Sequence, residues 1–136
     1  MKHTILALLC IGFFATGQAQ EISKDAIEAT ASQLIADFQL TPGQEEKAFE
    51  IAERQLKNLQ EIQPLEAADQ ALFLQKKNAI RQGTWASIRQ MLTDSQMPAY
   101  KAQLVERRKR ESALIQQLKK EGASQKEIQL AVWALD

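Results

Sequence analysis

Histidine and cysteine occur once each, as His3 and Cys10, and both fall within the first ten of 136 residues. Beyond that stretch the chain has no thiol, no imidazole and therefore no disulfide. Cys–His pairs and Ser–His–Asp triads are excluded there by absence, since each needs a histidine that the chain lacks beyond residue 10. Zinc sites draw on the same two residue types, so a metal site has little to build on. Adjacent carboxylates such as Glu45-Glu46 point in different directions on a helix and make a poor acid–base pair. No glycine-rich phosphate loop is present. We therefore expect no catalysis and no cofactor. Three prolines, five glycines and 6% aromatics leave few helix breakers, and β-branched residues never alternate as a strand requires.

What the chain does have begins with a leader. Lys2 and His3 make a short basic start, residues 4–15 are an apolar run, and Gly17-Gln18-Ala19 puts small residues at −3 and −1. That is the pattern of a secretory signal peptide, residues 1–19, with cleavage after Ala19. Its apolar run is too short to remain in a bilayer as a permanent helix. Cys10 is a poor lipidation site, because Leu9 stands where a small residue is needed. The remainder, residues 20–136, is long enough for one domain and is expected to be exported. It carries 16 bases against 17 acids, unevenly placed. Residues 20–75 hold 11 acids and 4 bases, whereas residues 76–126 hold 12 bases and 4 acids. Nucleic acid is a poor partner for a near-neutral exported chain with no aromatics among its bases.

Apolar residues recur at helical spacing throughout. Ser23 is placed to cap a first helix over residues 24–39, with Ala26, Ile27, Thr30, Leu34 and Phe38 on one face. A second helix follows, striped by Phe49, Ala52, Leu56 and Leu59, with Glu50–Arg54 and Glu53–Lys57 as i,i+4 pairs on its outer face. Pro64 ends it by biasing Gln63 away from helical dihedrals. A third helix runs from Leu65 to Met91 or Leu92, with Leu65, Leu72, Ile80 and Ile88 inward. Gly83-Thr84 lies inside it, and a bend is favoured over a break because glycine costs only about 1 kcal/mol relative to alanine. A fourth, over residues 94–120, carries Met97, Tyr100, Leu104, Leu114, Ile115 and Leu118 and stops at Glu121-Gly122. Ser124-x-x-Glu127 is a capping box opening a last helix. The expected fold is all-α, four to five helices around a thin core.

One phrase occurs twice. Leu40-Thr41-Pro42-Gly43-Gln44 and Leu92-Thr93-Asp94-Ser95-Gln96 both read Leu-Thr-x-x-Gln, and each stands before a long helical run. Thr with Gln three residues on is a capping box: the hydroxyl accepts from the N3 amide while Gln reaches back to the cap amide. Pro42 falls at N1, where a missing N–H costs nothing. Leu40 and Leu92 sit at N′, with Met97 as the staple partner of the second copy at N4. Pro98 would remove an N–H needed early in the fourth helix, which moves that helix start a residue or two later.

A paired Leu-Thr-x-x-Gln behind a signal peptide in a small helical chain resembles the LTxxQ-motif periplasmic chaperones, the Spy- and CpxP-like proteins. Zinc-resistance-associated proteins are related to them. In the family these motifs resemble, an aromatic follows the glutamine by about one helical turn; Tyr100 stands four residues after Gln96, whereas Phe49 stands five after Gln44, which implies an extra residue in the first copy. The resemblance covers residues 27–118. It implies elongated antiparallel helical hairpins that pair as a homodimer into a curved plate. It also implies an ATP-independent holding chaperone that binds unfolded envelope proteins. Two alternatives travel with it: a regulatory module docking on the periplasmic domain of an envelope-stress sensor kinase, and a metal-binding resistance protein. In the first reading Leu40, Thr41, Gln44, Leu92, Thr93 and Gln96 fix the helices, and the surface does the work.

That surface is sought in the run Glu106-Arg107-Arg108-Lys109-Arg110-Glu111. Four consecutive bases span a helical turn and cannot all be neutralised from their own helix. They are suited to attracting acidic client segments or the acidic second helix of another copy. The helical spacing of Trp85, Met91, Met97, Tyr100 and Trp133 favours core. If they instead line a surface, Met97 and Tyr100, with Arg107, Arg108 and Arg110, are the expected client-binding residues, because methionine and aromatics make adaptable apolar contacts.

Overall fold

The computed structural model describes residues 21–135. The leader, with Cys10 and the expected cleavage after Ala19, lies outside the described residues. Among the described residues all regular structure is helical: α1 (Lys24–Phe38), α2 (Pro42–Ile62), α3 (Leu65–Ala68), α4 (Gln70–Met91), α5 (Met97–Lys120) and α6 (Gln125–Ala134). With α3 a single turn, five substantial helices remain, and none is long and apolar enough to cross a membrane.

Local chemistry sets the boundaries. Ser23 Oγ accepts from the Ala26 amide at 3.2 Å and starts α1. The helix stops where Gln39 turns left-handed (φ 50) and the Leu40 N–H donates back to the Ile35 carbonyl at 3.0 Å. That is a Schellman stop made without glycine. α5 ends in the same motif with Gly122 at φ 80 and the Ala123 N–H on the Leu118 carbonyl at 3.0 Å. Pro64 ends α2 but not in the expected way. Gln63 keeps helical dihedrals (φ −51, ψ −41), and the chain turns tightly into α3.

The expected third helix is divided, and not at Gly83. The break falls at Asp69 (φ −154, ψ 87), whose Oδ1 accepts from the Leu72 amide at 3.0 Å and caps α4. α4 continues unbroken through Gly83. Thr84 Oγ1 donates to the Ile80 carbonyl within the helix at 3.0 Å instead of capping a new segment.

Phe38, Leu40, Ala48, Ile51, Ile88 and Tyr100 form the buried core, with Trp85, Met91, Leu92, Met97 and Leu104 packed on it. Trp85 meets Tyr100 edge-on at 5.3 Å and Phe38 at 6.1 Å between ring centroids, a favourable arrangement for aromatic quadrupoles. The stripe expected on α2 holds at Ala52, Leu56 and Leu59 but not at Phe49. Ala48, Ile51, Ala52 and Ile62 are buried while Phe49 is 37% exposed. The expected Glu50–Arg54 pair also gives way. Glu50 pairs with Lys47, and Arg54 reaches α4 to donate to Ser87 Oγ at 2.7 Å. α1 lies on α2, α2 lies on α4, and α6 packs across both α4 and α5.

Candidate functional site

The two copies of the repeated phrase meet. Gln44 Nε2 donates to Gln96 Oε1, and Gln96 Nε2 donates to Gln44 Oε1, both at 2.9 Å. Each glutamine also bonds its own threonine. Gln44 Oε1 accepts the Thr41 amide at 2.9 Å and its hydroxyl at 3.1 Å. Gln96 Oε1 accepts the Thr93 amide at 3.0 Å and hydroxyl at 3.1 Å. The remaining amide protons go across the junction: Gln44 to the Met91 carbonyl at 2.8 Å, Gln96 to the Gln39 carbonyl at 3.0 Å. Every partner has its counterpart 52 positions away, so the α1–α2 and α4–α5 corners are related as two halves of one clasp. The same offset corrects the expected extra residue. Ala48, not Phe49, is the counterpart of Tyr100, and both are buried.

The copies differ in one respect. Thr41 caps α2 in a capping box with Pro42 following. Thr93 does not cap α5; Gln96 holds that position, and Thr93 opens a turn in which the Gln96 amide bonds its carbonyl at 3.0 Å. Pro98 explains the delay. At the second position of α5 its missing N–H has no partner to lose. Met97 is then the first residue of α5 and cannot be the staple at N4.

The expected client-binding residues separate. Tyr100 is 7% exposed, with its hydroxyl 3.4 Å from the Trp85 carbonyl. Met97 is half-buried against the same core. Neither offers a client surface within one copy, because the aromatic junction needs both. Arg107 is half-buried too. It donates to Glu111 at 2.7 Å and to the Leu135 carbonyl at 3.3 Å, tying α5 to the end of α6. Arg108 and Arg110 are exposed but on opposite flanks of α5. The basic run is thus three surfaces, as a helix of 3.6 residues per turn requires.

α5 packs on α1 and α6, and clefts flank it. A cleft of about 490 Å3 separates it from α2 and α4, lined by Leu59, Ile80, Trp85 and Arg110 among others. A second, near 550 Å3, lies between α4 and α5 beside Arg89 and Leu104. On the outer flank a shallow groove of about 450 Å3 joins Val105, Arg108, Lys109, Ser112, Ala113 and Gln116. Val105 is 47% exposed there. The base beside it, Lys109, reaches Glu106 at 2.7 Å. Val105 was missed because helical period assigns only Leu104 inward and leaves its neighbour unmarked. Arg81, also missed, donates to the Leu135 carbonyl at 3.0 Å beside Arg107. Among the described residues no three His, Cys, Asp or Glu side chains gather as a metal site would need. No family model, no curated protein and no solved structure matches the chain.

Proposed function

We propose that the protein is an exported, ATP-independent holding chaperone of the LTxxQ-motif type. In this reading it works in the periplasm on unfolded envelope proteins. The observation that carries the reading is the outer groove of α5. There an exposed valine stands beside Arg108 and Lys109 on the outer flank of α5. Such a surface attracts acidic segments over a distance and retains them by weak apolar contact, so capture is fast and release is easy. Arg108, Lys109 and Val105 take the role; Tyr100, Met97 and Arg107 support the scaffold. The thin core, with Phe38 and Ile51 the only large side chains below 2% exposure among the described residues, supports a homodimer of paired helical hairpins. Acidic α2 of one copy facing basic α5 of the other suits that arrangement.

The test is aggregation of a chemically unfolded client at low salt, followed by light scattering, with and without equimolar protein and no nucleotide. Suppressed scattering is the expected result; unchanged scattering rejects holding. Pull-down from an envelope extract separates the competing role, since a sensor-kinase module would retain one stoichiometric partner and a holdase many substoichiometric ones.

A further inference from the structure

We propose that the cleft between α2, α4 and α5 binds a long-chain fatty carboxylate, a role separate from client holding and on the opposite flank of α5. The cleft is about 490 Å3, within the range of small-molecule sites. Its floor is apolar, made by Leu59, Ile80, Trp85 and Ala102. Its rim carries Lys77 and Arg81 from α4 and Arg107 and Arg110 from α5, against one carboxylate, Glu106.

These charges are not equivalent. Glu106 is held by Lys109 and Arg107 by Glu111, each at 2.7 Å. Arg81 is anchored to Asn78 and to the Leu135 carbonyl. Arg110 forms no ion pair among the described residues and is exposed at the mouth. An unpaired guanidinium beside an apolar trough fits a ligand with a planar anionic end and a hydrocarbon tail, because carboxylate takes the guanidinium fork in a bidentate manner. The trough from Lys77 to Trp85 extends roughly 12 Å along α4. A peptide suits it less. Backbone amides would enter a floor where Gln55 and Gln103 are the only uncharged polar side chains in the lining, and unpaired amides are costly to bury.

The experiment uses the mature chain carrying Trp133→Phe, which leaves Trp85 as the sole tryptophan. Dodecanoate is titrated below its micelle concentration while Trp85 emission and heat are recorded. Saturable one-to-one binding with a change at Trp85 is expected, decanoate binding roughly tenfold more weakly for the two lost methylenes. Arg110→Glu should weaken binding roughly fivefold without moving the melting temperature. Ala102→Phe, placed on an exposed turn of α5, should block the trough, with helicity checked by circular dichroism. Overturning results are no Trp85 response, equal affinity for neutral dodecyl maltoside, or binding only to phosphatidylglycerol vesicles. Should Ala102→Phe fail to fold, the tail-length series and Arg110→Glu decide.

Discussion

Gln96 is the residue on which most of the junction converges. Its amide meets five groups: Thr93 twice, Gln44 twice and the Gln39 carbonyl. It is itself only 8% exposed, so its own amide has little access to water. Only a primary amide offers two donors and an acceptor at that spot. Gln96→Leu strands donors and an acceptor on Gln44, Thr93 and Gln39, and should lower stability by about 2–4 kcal/mol in urea unfolding. Removing both glutamines should cost clearly less than the two single losses added together, because the second removal finds its main partner gone. Additive losses would show that the amides do not act as a pair. The threonine–glutamine spacing was legible as a local cap at Thr41, because capping is local physics, whereas at Thr93 the same bonds close a turn ahead of α5. That the two glutamines would bond each other was not, since nothing in either five-residue phrase encodes a contact 52 positions away.

At the scale of elements, α6 is a strap with two fastenings. At one end Ser124 and Glu127 form a capping box: the Ser124 amide and hydroxyl both lie 2.7 Å from Glu127 Oε2. At the other, Arg81 and Arg107 hold the Leu135 carbonyl at 3.0 and 3.3 Å. The Ser124 side-chain bond, and next its backbone bond, hold the Glu127 carboxyl below its ordinary value of 4.5. A lowered value in the folded state stabilises above the unfolded one and is lost as pH falls through the lowered one. Acidification through and below the ordinary carboxylate value should therefore fray the start of α6 before the rest, read by amide hydrogen exchange at residues 125–128. Ser124→Ala should remove that early phase; an unchanged acid profile in the variant would rule the cap out as its cause. Ser124-x-x-Glu127 was readable from sequence because serine, glutamate and spacing all agreed. The break at Asp69 was signalled only by one good N-cap residue, which an otherwise continuous helical pattern outweighed. On the α2 stripe only Phe49 was misplaced, because it outranks Ala48 in hydrophobicity. Packing prefers the small residue, since Tyr100 occupies the matching position from the other half.

For the whole molecule, the all-helical class followed from composition and period, and the structure agrees. The interaction surface was not legible in detail. A run of four bases says how much charge a helix carries, whereas its rotation decides which charge faces a partner. Arg107 serves the strap, Arg110 the inner cleft and Arg108 the outer groove. The account predicts a sharp division of labour between these flanks. The most direct measurement is client light scattering at low salt with the wild-type chain and with Val105→Ser/Arg108→Glu, both sites being exposed. The account predicts that the wild type suppresses scattering, that the double variant loses most of that effect at equal helicity, and that added salt erodes the wild type toward the variant. Full protection by the variant, or protection indifferent to salt, would contradict it.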